Sequence, residues 1–356
     1  MKQKVVAFTG GGTAGHVMPN LAIIEALRQQ YNAECHYIGL KDGIEQKIIE
    51  SSTKISYHVI HSAKFNRSLR FSNLFELRWL VQGIQEAKRV LQEIQPNVIF
   101  SKGGYVSFPV VIAGYRKHIP MIAHESDMTP GLANRWSAKF VNKILTAFPE
   151  TTTSYPKKSE MVGTPIRSYL LQGNREKGFS ITHLPKEKPI VLVMGGSQGS
   201  VFINHHIRSL LPILLDQYSI LHICGTGHLD PSLFEKRGYF QIEFAMEALT
   251  HFYAMSDLVI SRAGANSIME LAALQKPSIL IPLSRKYSRG DQIANATSFE
   301  KNGLSLKLEE DDITGSMIPD TLKWLWNNRE TFQKNLKNFF PSNTTERICE
   351  IISNYW

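Results

Sequence analysis

Three cysteines in 356 residues, at positions 35, 224 and 349, are too few and too far apart to staple a fold. No CxxC pair is present, so neither a disulfide framework nor a cysteine zinc site is expected, and the thiols read as reduced intracellular ones. No apolar run approaches the roughly 18 residues a membrane-crossing helix needs. The first apolar run, Val5-Val6-Ala7-Phe8, dies in glycines and does not read as a secretory signal. A DxD pair for a divalent metal is missing; Asp311-Asp312 in "LEEDDIT" reads as a charged helix start. Low-complexity sequence is absent from both halves. Acid is scarce in the first half only. Residues 1–160 hold 20 Lys+Arg against 12 Asp+Glu, or +8, and the remainder holds 20 against 19, or +1, which together give the net +9. Such an imbalance suits an anionic partner (nucleic acid, a phosphate-bearing ligand or a membrane surface), or no more than a solvated basic face.

What is present is alternation. Short apolar runs at 4–9, 35–39, 56–60, 97–101, 119–124 and 142–146 predict strands, with helices between them at 19–30 and 72–95. The second half repeats the scheme. Strands are expected at 189–194, 219–223, 257–261 and 277–282, and helices near 200–216, 246–255, 266–275 and 291–301. Alternation of this kind builds parallel βαβ units with helices on both sheet faces. It occurs twice, so the fold class is α/β, with two Rossmann-like doubly wound domains joined near 163–166. Ligands of such sheets bind at the carboxyl ends of the strands, and a cleft between facing domains is expected.

Each half opens on glycines. "FTGGGTAGH" (8–16) follows the first strand and "VMGGSQG" (193–199) the seventh. A loop that leaves a strand and enters a helix offers backbone N–H groups and the positive end of the helix dipole to an anion. Gly10-x-Gly12-x-x-Gly15 matches the dinucleotide fingerprint, but the acid that should hold a ribose at the end of the second strand is missing; Asp42 lies past it. A tight turn without a ligand explains one such loop more easily than two. A further element, "SRAGANSIMEL" (261–271), brings Gly264 and Ala265 to a helix start and Glu270 to its early turns. Two helix N-termini in one domain suit a diphosphate, and a carboxylate nearby suits ribose hydroxyls. Such a site requires no metal and no separate cofactor.

"GGGTAGHVMPNLA", "SKGGYVSFPVVIA", "HESDMTPGLANR", "GGSQGS", "SRAGANSIMELAA" and "GDQIANA" occur in one order along the chain. Together they resemble the MurG family of bacterial UDP-N-acetylglucosamine transferases, which act on lipid I to make lipid II. The resemblance implies a GT-B fold, inverting transfer of GlcNAc to the C4 hydroxyl of MurNAc, and UDP-GlcNAc and lipid I as substrates. It places an acceptor and membrane-associating domain at 1–163, to which a C-terminal helix at 341–356 returns, and a donor domain at 164–340. It implies a peripheral protein on the cytoplasmic face of the bacterial membrane, an anionic membrane surface and cell-wall synthesis or division proteins as partners, and no nucleic acid.

Residue roles carry over by motif. Ser197, Gly264, Ala265, Asn266 and Ser267 are expected at the donor diphosphate and Glu270 at the ribose. Arg167 lies near the nucleotide, the Met246 backbone at the uracil edge, and Asp291 and Gln292 at the GlcNAc hydroxyls. In the first domain Gly11, Gly12 and Thr13 belong to the loop for the acceptor diphosphate, Thr13 and Gly15 counting also as donor contacts, and Tyr105 lines the acceptor wall. His16 is the candidate base or hydroxyl-holding group, with Asp127 and Glu125 as alternatives; the family often has Asn where this chain has Asp127. Glu270 and Asp291 have plain readings too, as a solvated helical carboxylate and a helix cap.

Other readings remain. An epimerase of UDP-GlcNAc shares the architecture, a nicotinamide-dependent oxidoreductase would use the first glycine loop, and a membrane-binding nucleotide module would need no catalysis. The stretch 71–94 bears on the last. Leu74, Leu77, Val81, Ile84, Leu91 and Ile94 form one helical stripe, assigned here to the core. Phe71, Phe75 and Trp79 form a second, flanked by Lys64, Arg67, Arg70 and Arg78. Aromatic side chains ringed by basic ones suit an interface of acyl chains and anionic headgroups, unless a neighbouring element covers them.

Overall fold

The computed structural model describes residues 3–52, 55–63, 72–196, 199–339 and 343–356. The chain divides into two compact units, Met1–Arg167 with Asn343–Trp356, and Ser168–Ser342. The boundary thus falls after Arg167, not at 163, and Arg167 belongs to the first unit.

The first unit is built on a parallel sheet of seven strands: β1 (Val5–Thr9), β2 (Glu34–Leu40), β3 (Ser56–Ile60), β4 (Val98–Ser101), β5 (Met121–Glu125), β6 (Lys143–Thr146) and β7 (Ser159–Met161). Their order is β3-β2-β1-β4-β5-β6-β7. The chain runs outward from β1 to β3, then returns to β1's other side as β4, in register Val6 with Val98 and Thr9 with Ser101. The direction of winding therefore reverses between β1 and β4, and their carboxyl ends border the crevice where such sheets take ligands. The strands are apolar throughout because helices cover both faces. Alternation along β1 sends Val6 and Phe8 into one buried cluster and Ala7 into the other. The first cluster also holds Ile24 of the helix Ala14–Tyr31 and Ile348 and Ile352 of the C-terminal helix Thr344–Ser353. Thr344 Oγ1 donates to Val162 O (2.7 Å), and Arg347 pairs with Glu160 (2.8 Å), which Lys143 also reaches (2.6 Å).

The long helix Ser72–Ile94 corrects one expectation. Ala87 and Leu91 are buried, but Leu77 and Val81, assigned above to the core, are 52% and 48% exposed. Trp79, 46% exposed, lies on the other flank of that buried face and stacks on His61 with ring centroids 4.9 Å apart; Arg78 is exposed beside it. Gly83 explains the difference, since a Cβ there would lie 1.8 Å from His61 O, so the helix meets the sheet through its small residues. Lys64, Arg67, Arg70 and Phe71, and the side chain of Phe75, lie outside the described residues.

The second unit has six parallel strands: β8 (Ile190–Met194), β9 (Ser219–Ile223), β10 (Tyr239–Ile242), β11 (Leu258–Ser261), β12 (Ser278–Leu280) and β13 (Leu306–Lys307). The order β10-β9-β8-β11-β12-β13 repeats the first unit's winding, with its reversal between β8 and β11. The helices Val201–Gln217 and Met317–Phe339 cover one face through Ile207, Leu211, Leu322 and Leu325. All three cysteines are buried free thiols. Among the described residues, no helix is long and apolar enough to cross a membrane.

Candidate active site

In the first unit the segments leaving β1 and β4 touch. Lys102 N donates to Thr9 O (2.9 Å), continuing the ladder past the strand ends. Gly104, at φ +78°, packs so closely on the other loop that a Cβ would lie 2.4 Å from Gly11 O and 3.2 Å from His16 Nδ1. Only glycine fits that approach. The ring edge of Tyr105 occupies the space a side chain at Gly12 would take. Sequence-predicted Gly11, Gly12, His16 and Tyr105 are thereby brought together.

His16 Nδ1 lies 3.0 Å from Gly11 O and 3.0 Å from Thr13 Oγ1. A carbonyl oxygen only accepts, so the tautomer assigned from this network carries its hydrogen on Nδ1 and a lone pair on Nε2. That nitrogen makes no hydrogen bond to the described residues. Burial, then the nearby Lys102 ammonium, push the His16 pKa down to about 4, against the pull of the Gly11 carbonyl. The imidazole is neutral at physiological pH.

Two charged residues that the motif reading left without a role shape this loop. Glu45 is fully buried, and its carboxylate accepts from Gly12 N (3.1 Å) and Leu40 N (3.2 Å). An internal anion thus already takes the Gly12 amide, which corrects the expectation that this N–H serves a diphosphate. Lys102 is 1% exposed. Its Nζ donates to His124 Nδ1 (2.7 Å) and to Ser126 Oγ, and His124 Nε2 donates to Gly163 O (2.8 Å). Burial pushes the lysine down to about 8 against the attraction of Glu125 and Asp127, so it remains a cation at neutral pH.

Glu125 closes the loop after β5. Its Oε1 accepts from Asp127 N (3.0 Å), and its Oε2 accepts from Gly131 N (3.0 Å) and Asn134 Nδ2 (2.8 Å). Burial and the Asp127 charge raise its pKa, opposed by those donors and by Lys102. With both oxygens engaged, Glu125 is the tie that shapes the loop carrying Asp127.

In the second unit, β8 and β11 end side by side, Met194 opposite Ser261, and each feeds a helix N-terminus at the winding reversal. Gly199 turns at φ +79°, where a Cβ would lie 2.3 Å from Cys224 O, and Ser200 caps the helix Val201–Gln217 by accepting from Ile203 N (3.3 Å). Ser197 lies outside the described residues. Gly264 is the N-cap of the helix Ala265–Ala273, whose first turns carry Asn266 and Ser267. Arg262 bolts the two loops together. Its guanidinium reaches Glu310 at 3.0 and 3.1 Å, Ser200 Oγ at 2.7 Å, and the carbonyls of Ile281 and Pro282 at 3.2 Å each. Glu270 Oε2 accepts from Tyr253 OH (3.3 Å). Asp291 opens the helix Asp291–Lys301 behind Gly290, while Gln292 Oε1 accepts from Leu283 N (3.0 Å), so its carbonyl is committed to that loop. Met246 begins a short 3-10 turn and is 73% exposed.

Sequence reasoning missed Glu45, Lys102, Arg262 and Glu310. A signal existed for two of them, since Lys102 and Arg262 each follow a strand-end serine, Ser101 and Ser261, and directly precede the small residues of a motif loop.

Comparison with known proteins agrees with this geometry. Residues 6–146 match the glycosyltransferase family 28 N-terminal domain and residues 190–350 the corresponding C-terminal domain. A relative from Clostridium tetani, named UDP-N-acetylglucosamine--N-acetylmuramyl-(pentapeptide) pyrophosphoryl-undecaprenol N-acetylglucosamine transferase, is 48% identical over 100% of this chain and 99% of its own. One of the same name from Lachnoclostridium phytofermentans is 44% identical, covering 98% of each chain. Among solved structures, Acinetobacter baumannii MurG superposes with a TM-score of 0.80 at 22% identity, over 99% of both chains. The UDP-GlcNAc 2-epimerase of Neisseria meningitidis does so at 0.67 and 14% identity, over 99% of this chain and 100% of its own. The latter two likenesses establish a fold, the GT-B architecture. The family is decided by the domain matches and the full-length identities: the chain belongs to glycosyltransferase family 28.

Proposed function

We propose that this protein transfers GlcNAc from UDP-GlcNAc to the C4 hydroxyl of the MurNAc residue of lipid I, inverting the anomeric carbon and releasing UDP. The observation that carries the reading is 44% or greater identity, over essentially the whole chain, to transferases named for that reaction. The epimerase alternative rests on fold likeness alone.

Donor binding falls to the second unit. The helix N-termini behind Gly199 and Gly264 hold the diphosphate with amides and dipoles, so UDP binds without a metal. Glu270 accepts from the ribose, and Asp291 and the Gln292 amide face the sugar. As the glycosidic bond breaks, charge grows on the diphosphate where these donors are already oriented. Acceptor binding falls to the first unit. Thr13 and the loop amides other than Gly12 meet the acceptor diphosphate, with Tyr105 beside them. The C4 hydroxyl donates to His16 Nε2, which takes its proton as oxygen attacks the anomeric carbon. Gly11 O holds the ring so that this nitrogen presents its lone pair.

The acceptor is lipid-linked, so the enzyme works at the cytoplasmic face of the membrane. The exposed Leu77, Trp79 and Val81 beside Arg78 form the contact with anionic headgroups and upper acyl chains. Turnover of UDP-GlcNAc with a lipid I analogue, against acceptor-free and NADH controls, tests the assignment. Product formation only with acceptor is expected. Interconversion of the sugar nucleotide without acceptor would favour the epimerase.

A further inference from the structure

Lysine is among the side chains least often buried, because an ammonium loses its hydration there. Lys102 is nonetheless almost completely enclosed at the winding reversal of the first sheet. Its backbone bonds to Thr9, and a Cβ on Gly10 would meet its own Cβ at 2.9 Å, so the stem lies directly against the glycine loop. Its ammonium donates to His124 and Ser126, on the strand and loop that carry Glu125 and Asp127. One cation thus links the segments after β1, β4 and β5, and the proton acceptor proposed above sits in one of them.

We propose that Lys102 is a positioning residue for glycosyl transfer: its enclosed ammonium keeps the His16 imidazole unprotonated and holds the 124–127 segment against the acceptor loop. The inference rests on the proposed function and adds to it the device that keeps the base ready. Protonating His16 would place a second cation near one that is already enclosed, and their repulsion disfavours the charged imidazole. Burial is the larger cause of the depressed His16 pKa, and the charge of Lys102 lowers it further. The other charged and titratable groups facing this cluster are Asp127 after β5, His124 and Glu125 within it, Glu45 behind Gly12, and Tyr105 over the loop. Tyr155 feels the charges of Glu125 and Arg135 at the periphery. The two carboxylates near Lys102 offset its charge, which lets it stay ionised while enclosed. A residue that only filled space would leave the protonation of His16 where it is.

The test is the pH profile of kcat with a water-soluble short-chain acceptor, for wild type and Lys102→Met. Wild type should hold its rate on the acid side down to its unfolding limit. The variant should lose rate as pH falls through a limb moved upward by about one pH unit or more, with much of the rate recovered above it. Loss of rate at every pH with an unmoved acid limb would overturn the proposal and leave Lys102 a purely structural group. If that variant does not fold, NMR titration of His16 in wild type and in Lys102→Gln decides instead. A wild-type ring that stays neutral well below pH 6 and titrates higher in Lys102→Gln supports the proposal; titration near the ordinary histidine value in wild type, or a low value unmoved by Lys102→Gln, overturns it. Neither outcome depends on which sugar acceptor is used. Failure of the functional assignment itself would show separately, as absent turnover by the wild type.

Discussion

Replacing Arg262 with methionine removes the group that joins the two donor loops, and its cost can be worked from the contacts. The guanidinium makes two bonds to Glu310, one to Ser200 Oγ and two to backbone carbonyls, all between 2.7 and 3.2 Å. Without it the Glu310 carboxyl, 8% exposed, is left with the Ser284 amide (3.0 Å) as its remaining hydrogen-bond donor among the described residues. Stranding one member of a buried ion pair costs about 3–5 kcal/mol. For a unit of 175 residues (342 − 168 + 1), each kcal/mol lowers the melting temperature by about 2–4 °C, giving a fall of roughly 6–20 °C. Replacing both partners, Arg262→Met with Glu310→Leu, removes the stranded charge along with its partner, so most of that loss should be regained. UDP affinity should not follow. In either variant Ser200, the cap of the first phosphate-facing helix, loses its tie to the second loop, and calorimetry should find weakened UDP binding in both. Denaturation of the single and double variants with matched UDP titrations measures all of this. A single variant that melts within about 3 °C of wild type, or a double variant no better than the single, would refute the treatment of this pair as enclosed charge.

Glu270→Ala should weaken UDP binding by roughly tenfold or more, the effect of losing bonds to a charged acceptor worth about 1.5–3 kcal/mol, whereas His16→Ala should lower single-turnover rates and leave UDP affinity near wild type. UDP should raise the melting temperature equally in EDTA and in magnesium, because helix ends take the diphosphate; a shift that vanishes in EDTA would contradict the metal-free reading. Leu77→Ser with Trp79→Ser should reduce salt-sensitive sedimentation with anionic vesicles and spare turnover of a soluble acceptor; equal losses on both acceptors would make this face packing surface. Burial raises the Glu160 carboxyl, but Lys143 and Arg347 outweigh that and hold it below its ordinary value. Its contribution is therefore present above the unfolded carboxylate pKa and fades as pH falls through the lower folded one. Protection of the helix Thr344–Ser353 against hydrogen exchange, corrected for the intrinsic rate at each pH, should fall on acidification, and less steeply in Arg347→Gln.

The elements most legible in the sequence are those buried on both faces. Central strands such as Val98–Ser101 and Leu258–Ser261 are short apolar runs that end at a motif, and nothing competes with that pattern. Of the four strands at the sheet margins, Ser56–Ile60 was anticipated, while Ser159–Met161, Tyr239–Ile242 and Leu306–Lys307 escaped notice. Ser159–Met161 and Leu306–Lys307 are two or three residues long and not fully buried, so no run of apolar residues announces them. The helix Met317–Phe339 escaped for the opposite reason. It buries Ile318, Leu322 and Leu325 on one face but is polar on balance, with Asp320 and Lys323 between them and Asn, Arg and Glu following. In the helix Ser72–Ile94 the periodicity was legible and the phase was not. An apolar stripe through Leu77 and Val81 predicts burial, but Gly83 and Ala87 make the close contact, and small residues carry little weight in a hydrophobic pattern.

The site was legible in the same uneven way. Glycines, His16, Glu270 and the helix starts announce themselves because a chain has few other reasons to place them after a strand. What stayed hidden is the enclosed charge behind them. Glu45, Lys102, Arg262 and Glu310 belong to residue types ordinarily read as solvated surface, and composition counts each as part of a polar face. Their burial follows from the winding order, which places the ends of β1, β4 and β5, or of β8, β11 and β12, next to one another across long stretches of sequence. Glu45 lies 33 residues from the amide it binds, and Arg262 lies 48 from its carboxylate. At such separations no local pattern links the partners. Both sheets bring glycine loops to the reversal, yet they stabilise them with opposite charge. In the first unit a carboxylate takes a loop amide from behind; in the second a guanidinium ties loop to loop. That contrast follows the ligand each loop is proposed to meet. A leaving diphosphate gains charge and suits amides beside a fixed cation, whereas an imidazole proposed as the proton acceptor must stay neutral, and the enclosed Lys102 near it is offset by the charges of Glu125 and Asp127.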